Sequence, residues 1–340
     1  MKLALLVISG IFIVAVLVVT SDRLNFKSNG FKRIFLPGKT IVLGQRSLAA
    51  ADLRSIAGVT GKWVYFTTAS PNRFIRTNLD SFNPEQLEFN LDAAFVAGTG
   101  KNFSAWLSGS TLYVFSGQIP AVAVIDITSG KSSYTPLDLP GFIYGVPASS
   151  GTYFLRAFQP DRRDLSFVSV TIQPDTMIYS FLTPGDSIQK GALKSDGALR
   201  YNQTGLVAYV FYYQNKFMVF NKNSGRLQVF DTIEKMAGLP GQLPGTAPLT
   251  VHQTSCVFEG KLYICSNLRS DSETREAYLK NIPVDIYEIE TGRYLGSFYL
   301  PLPGRSLVKS MFMDSEGKLS AYYQDKTFVR YSVPTAGSVL

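Results

Sequence analysis

Short runs of alternating, β-branched and aromatic residues recur along the whole chain: "KWVYFTT" from Lys62, "TLYVFS" from Thr111, "TYFLRAF" from Thr152, "LVAYVFYY" from Leu206, "KLYICS" from Lys261 and "KLSAYYQ" from Lys318. Their starts lie between 41 and 57 residues apart, a period that fits a four-stranded propeller blade. A glycine precedes each run, at Gly61, Gly109, Gly151, Gly205, Gly260 and Gly317, where a tight hairpin needs positive φ. A second alternating run follows each one, from Arg73, Ala121, Leu165, Lys216, Val284 and Thr327. In three of the six units, Ser129-Gly130, Ser224-Gly225 and Thr291-Gly292 then turn the chain into a further strand. Strand, turn, strand, loop, strand, turn, strand is an antiparallel meander.

The phrase "VAVIDITSGKSSYTPLDLPG" at Val122 reappears as "VDIYEIETGRYLGSFYLPLPG" at Val284. This places the two segments at equivalent positions three units apart. The closing tripeptide at Leu139-Pro140-Gly141 and Leu302-Pro303-Gly304, with relatives at Thr183-Pro184-Gly185 and Leu239-Pro240-Gly241, stops a ladder and turns the chain into the next unit. Leu36-Pro37-Gly38 carries the same ending with no strands before it, and the last unit runs out after Val333 without a fourth strand. The pattern therefore predicts an all-β fold, a six-bladed β-propeller of four-stranded antiparallel blades. Its ring is closed by an N-terminal strand, Phe31 to Leu36, paired into the last blade. Two stacked sandwiches are the competing arrangement, and they leave the displaced N-terminal strand unexplained.

Composition agrees with a folded β-rich chain: of 340 residues, 46% are hydrophobic and 17% charged, which excludes a disordered chain. The N-terminus stands apart. Leu3 to Val19 is an uncharged apolar run behind Lys2, at the short end for a membrane span and the long end for a signal peptide. Both readings imply export, either anchored at the periplasmic side of a cytoplasmic membrane or secreted. The run holds no cysteine, so a lipoprotein anchor is excluded. The expected division is a signal anchor or signal peptide over 1–21, a basic linker over 22–30, the propeller over 31–334 and a tail over 335–340. Arg23, Lys27, Lys32, Arg33, Lys39 and Arg46 face a single acidic residue between positions 22 and 46. Such a stretch serves either as a contact to anionic lipid or as a solvated linker before a charge-protected edge strand. Elsewhere the basic residues are scattered, and no nucleic-acid motif is present.

The blade count, the turn glycines and the closing strand resemble exported bacterial six-bladed propellers of the TolB-like and NHL-like type, from about Phe31 to Pro334. The resemblance implies a fold and carries no activity with it. Six-bladed lactonase-like enzymes of similar shape hold a Ca²⁺-type ion on acidic and amide side chains. Here the inner strands offer Asn102, Asn202, Gln203 and Gln253 without a carboxylate placed beside them, so no metal or other cofactor is expected. His252 is the only histidine, which excludes a two-histidine catalytic pair. On an inner strand it serves as a hydrogen-bonded structural residue or points into the channel. No nucleophile elbow, phosphate-binding loop or paired catalytic carboxylates stand out, and no catalytic residue is assigned.

Cys256 and Cys265 flank the turn at Gly260, either directly opposite or as diagonal neighbours. Export allows a disulfide between them; two buried thiols are the alternative. Arg200, Tyr201, Asn202, His252, Gln253 and Lys309 lie on or just before inner strands and are the candidate lining of the channel mouth. Aromatic planes beside Arg and amide groups suit a protein, peptide or glycan partner. The long polar segment from Asn267 to Pro283 reads as an insertion that contacts a partner or faces solvent. The leading expectation is a non-enzymatic, exported or membrane-anchored binding scaffold, with the membrane reached through residues 3–19. The alternative is a lyase or lactonase-like hydrolase working on a small exported substrate.

Overall fold

The computed structural model describes residues 10–14, 29–48, 52–159, 162–174, 176–182, 195–201, 206–221, 225–235 and 249–334. Its 24 strands form six separate four-stranded antiparallel sheets, the six blades of a propeller. Blade one is β2 (Ile56–Thr60), β3 (Trp63–Thr67), β4 (Arg73–Asn78) and β5 (Pro84–Glu88). Blade two is β6 (Phe103–Ser108), β7 (Thr111–Ser116), β8 (Ala121–Asp126) and β9 (Ser132–Pro136). Blade three is β10 (Phe142–Ser149), β11 (Thr152–Gln159), β12 (Arg162–Gln173) and β13 (Thr176–Leu182). Blade four is β14 (Gly197–Tyr201), β15 (Leu206–Phe211), β16 (Lys216–Asn221) and β17 (Arg226–Asp231). Blade five is β18 (His252–Phe258), β19 (Lys261–Ser266), β20 (Asn281–Glu288) and β21 (Tyr294–Pro301). Blade six is β22 (Val308–Met313), β23 (Lys318–Tyr323) and β24 (Thr327–Ser332), completed by β1 (Ile41–Ser47).

The core is divided into slabs between neighbouring blades, because each sheet buries both faces and has no partner but the next sheet. Six apolar clusters correspond to the six interfaces. Leu48, Phe66, Tyr322 and Phe328 join blade six to blade one, and Phe154, Val207, Phe211 and Phe220 join blade three to blade four. At about 25 cal/mol per Å² of buried apolar surface, these slabs supply the main force that holds the ring shut.

The ring is closed by an N-terminal strand, but the strand is β1. Ile41 pairs with Ser332 and Ser47 with Thr327 in an antiparallel ladder. The expected closing segment, Phe31 to Leu36, instead crosses the side of blade five and forms only an isolated parallel bridge, Phe35 to Ser297. Leu36-Pro37-Gly38 thus turns the chain towards the closing strand, and does not end it. The physical reason lies in Arg33: its side chain is buried and bonded into blade five, which holds this segment away from blade six.

Residues 10–14 are helical and exposed. Among the described residues no helix is long and apolar enough to cross a membrane. The remaining expected N-terminal segment, the 335–340 tail and the tripeptides at Thr183 and Leu239 lie outside the described residues.

Candidate functional site

The channel is built by the inner strands, and at the level of Trp106 side chains cross it. Trp106 on β6 donates from Nε1 to the Gly145 carbonyl on β10 at 2.8 Å. Ser104 Oγ binds the same carbonyl at 3.1 Å. Gly145 makes this approach possible: a Cβ there would lie 2.4 Å from the Phe115 ring and 2.8 Å from Leu155. Tyr201 of blade four reaches past blade three and donates to the Leu107 carbonyl of blade two at 3.0 Å. Its ring meets Trp106 edge-on at 5.8 Å. Two aromatic side chains therefore narrow the passage between blades two and four.

Arg200 sits beside them, its guanidinium 5.6 Å from the centre of the Trp106 ring. Its Nε donates to the Ser255 carbonyl at 2.5 Å and its Nη2 to Thr254 Oγ1 at 3.3 Å, while Nη1 folds back to its own neighbour, the Leu199 carbonyl. All its acceptors are neutral, and among the described residues it forms no ion pair. Burial pushes the Arg200 pKa down, with Tyr212 and Tyr144 acting the other way. A cation held this way by carbonyls and rings keeps N–H groups for an acceptor from outside.

A second positive region lies around Lys309 on β22, whose ammonium sits 5.8 Å from the Tyr322 ring. Burial pushes the Lys309 pKa down, and the nearby charges of Arg54 and Lys326 push it further, with only Asp52 opposing.

His252 does not join them. His252 is 1% exposed and turns into the interface between blades four and five. Its Nδ1 lies 2.7 Å from the Phe211 carbonyl, and its Nε2 lies 3.6 Å from Glu234 Oε2. Gln253 donates to Asn267. Among the described residues no hydrogen bond or ion pair joins either to Arg200 or Tyr201. Asn202 lies outside the described residues.

His252 belongs to a buried charge network that sequence reasoning missed. Arg33 reaches Asp285 from Nε at 2.8 Å and from Nη2 at 2.9 Å. Its Nη1 reaches Glu273 at 2.5 Å and the Leu268 carbonyl at 2.7 Å, and Nη2 also lies 3.5 Å from Glu234. Tyr299 OH donates to Glu273 at 2.9 Å and Ser297 Oγ to Asp285 at 2.5 Å. Burial opposes the charge on Arg33, yet the surrounding carboxylates outweigh it and raise its pKa. Burial also resists ionisation of Glu234, but His252 and Arg33 hold that carboxyl well below its usual range. At Asp285 burial prevails over Arg33 and pushes the carboxyl up to about 6. The residues come from an N-terminal segment, the exit of blade four and four parts of blade five, and Arg33 and Asp285 are 252 positions apart. No local motif announces such a set; the one available signal was a lone Arg between Phe31 and Phe35.

The segment from Asn267 to Pro283, read as an insertion that contacts a partner or faces solvent, is part of the same construction. Ser270 and Glu273 are buried, and Thr274 caps a short helix, Arg275–Lys280, through Ala277 N. Asn29 N and Gly30 N both donate to Asp271 at 2.8 and 3.0 Å. The loop thereby clamps the N-terminal segment.

Cys256 and Cys265 are free and buried. Phe258 pairs with Lys261 across a two-residue turn in which Glu259 and Gly260 both take positive φ. Cys256 therefore faces Tyr263, which makes Cys265 its diagonal neighbour, farther away than a bridge prefers. Burial pushes the Cys256 thiol up to about 12 and raises the Cys265 thiol well above its ordinary range. Among the described residues no three His, Cys, Asp or Glu side chains are grouped as metal ligands would be.

No protein-family model matches the chain, and no curated protein matches it either. Solved structures do. A streptogramin B lyase structure is similar with a TM-score of 0.50 at 13% identity, over 86% of this chain and 97% of that one. A catalytically inactive histidine-to-alanine variant of virginiamycin B lyase from Staphylococcus aureus, with quinupristin, is similar with a TM-score of 0.51 at 11% identity, over 87% of this chain and 100% of that one. At these identities the likeness is one of fold: the chain is a six-bladed β-propeller similar in architecture to these proteins.

Proposed function

We propose that this propeller is a binding scaffold, exported and held at the outer side of a cytoplasmic membrane by residues 3–19, and that it takes an anionic peptide, protein or glycan group at the channel. The observation that carries the reading is Arg200, a guanidinium beside Trp106 and Tyr201 with neutral acceptors only. Lys309, with Arg54 and Lys326 near it, adds positive potential. An anion entering this region gains charge-assisted hydrogen bonds, and a sugar or peptide plane gains aromatic surface. Lyase or hydrolase chemistry needs a reachable acid or base, whereas His252 is enclosed and engaged by Phe211 and Glu234. This favours binding over catalysis.

The test is a thermal-shift and calorimetry series with acidic peptides, acidic oligosaccharides and their neutral counterparts, on the native chain and on Arg200→Met. Binding of an acidic probe that the variant loses supports the reading. Equal binding of neutral and acidic probes, or full binding by the variant, overturns it. Turnover of a lactone or ester by the native chain would replace it with the enzyme reading.

A further inference from the structure

The surface where the N-terminal segment joins the ring differs from a solvated blade edge. Ile34 is 69% exposed on the outer side of blade five, and Ile41, Val42 and Leu43 are 59%, 46% and 50% exposed on β1. The corresponding outer strand of blade two, Ser132–Pro136, presents Ser, Ser and Tyr instead. Lys32, Lys39 and Arg46 are interleaved with these apolar residues and exposed. Among the described residues none of the three forms an ion pair, and there is no Asp or Glu between positions 29 and 48. A groove of about 310 Å³ lined by Phe35, Leu36, Lys39, Tyr299 and Pro334 extends the apolar surface inward.

We propose that this edge of blades five and six lies on an anionic lipid surface, with Ile34, Ile41, Val42 and Leu43 in the headgroup and upper acyl region and Lys32, Lys39 and Arg46 on lipid phosphates. Three arguments converge on lipid as the occupant. Exposed apolar side chains ringed by cations without acidic partners match an interfacial site, where each cation contributes about a fivefold gain in partitioning. The apolar run ends at Val19, only 15 residues before Ile34, so the tether can span no more than roughly 50 Å and delivers this edge to the bilayer first. Finally, β13 also exposes Ile178 and Phe181, but no Lys or Arg lies between positions 164 and 188; apolar exposure and positive charge coincide at the β1 edge and not there.

The inference rests on the membrane part of the proposed function, and the experiment separates the two. The full chain is reconstituted in phosphatidylcholine–phosphatidylglycerol vesicles carrying nitroxide lipids, with an environment-sensitive fluorophore on Val42→Cys or, as a control, on Ile178→Cys; Cys256 and Cys265 are buried and do not label. Flotation reports attachment. The expected result is lipid quenching at position 42, at least about twofold above position 178, and its loss in Lys32→Glu/Lys39→Glu/Arg46→Glu while flotation is retained. A floating chain whose label at 42 stays open to aqueous iodide overturns the inference and leaves the anchor intact. Shielding from both iodide and lipid nitroxide also overturns it, because protein, a second copy or the chain's own N-terminus, then covers the edge. A chain that does not float overturns both readings.

Discussion

Arg33 and Asp285 form a two-pronged ion pair, Nε to Oδ1 at 2.8 Å and Nη2 to Oδ2 at 2.9 Å, with both side chains almost fully buried. The pair ties the N-terminal segment to the third strand of blade five. A planar fork is required for this geometry, since a lysine ammonium cannot serve both carboxylate oxygens and Glu273 together. Arg33→Met therefore leaves Asp285 and Glu273 as buried acids without a cation and Glu234 with only His252 beside it, and the expected loss is about 3–5 kcal/mol of unfolding free energy. Arg46→Met, on the exposed face of β1, should stay within about 0.5 kcal/mol. Urea denaturation of both variants checks the contrast.

The same cluster sets a pH dependence. Asp285 is raised, to about 6, so between the usual aspartate range and that value the folded chain holds a proton that the unfolded chain has released. The stabilising effect of the raised group is present at low pH and is lost as pH rises through about 6. Glu234 is lowered, so its contribution is present above the ordinary glutamate range and is lost on acidification below it. Unfolding free energy measured against pH should fall between about pH 4 and 6 by on the order of 1–3 kcal/mol from the Asp285 proton. Asp285→Asn should flatten that slope. A native-chain profile that rises across the window would contradict the assignment.

The blades were legible because period-two patterning and turn glycines are local signals: the runs at Thr111 and Lys261 coincide with β7 and β19. The closing strand was misplaced because Leu-Pro-Gly marks a change of direction, and nothing local tells a turn after a ladder from a turn before one. Arg33 looked like one more linker cation, and its acids are scattered over blades four and five. Arg200 and Tyr201 end the inner strand β14, a position that period-two patterning gives locally. His252, on an inner strand too, was expected at the channel mouth or as a structural residue, and only packing against Phe211 and Glu234 decides its direction.

The thiols give a direct check on the interior of blade five. With both sulfurs buried and Cys265 Sγ 3.6 Å from Met311 Sδ, neither presents a reactive thiolate. Ellman's reagent at about pH 8 should leave the folded chain unmodified over hours and titrate both cysteines in denaturant. Fast reaction of the native chain would mean that blades five and six part more readily than their packing implies.

Gly145 brings blade three close against the Phe115 ring of blade two. Because an added methyl group would meet the Phe115 ring at 2.4 Å, Gly145→Ala should cost about 1–3 kcal/mol through overpacking. It should also loosen the Trp106 indole bond to the Gly145 carbonyl, which is seen as a shift in Trp106 fluorescence. Trp106→Phe removes that bond and keeps most of the apolar volume, so a loss of about 1 kcal/mol is expected.

Ring closure is the property most exposed to truncation. A chain beginning at Asn29 retains Arg33, the clamp at Asp271 and the whole of β1, and it should melt within a few degrees of the full chain. A chain beginning at Leu48 loses the β1 ladder with β24 and removes Arg33 from the buried carboxylates of Glu234, Glu273 and Asp285. Blade six then ends on β24, whose Val329 and Tyr331 have buried side chains and whose outer N–H and C=O groups lose their partners. An open apolar edge recruits other chains, so this second truncation should unfold at a markedly lower temperature and form oligomers at micromolar concentration. Differential scanning calorimetry with light scattering on the two truncated chains distinguishes the contributions. If the chain from Leu48 melted as the full chain does, closure by β1 would add little to the ring, and the blade interfaces alone would hold it.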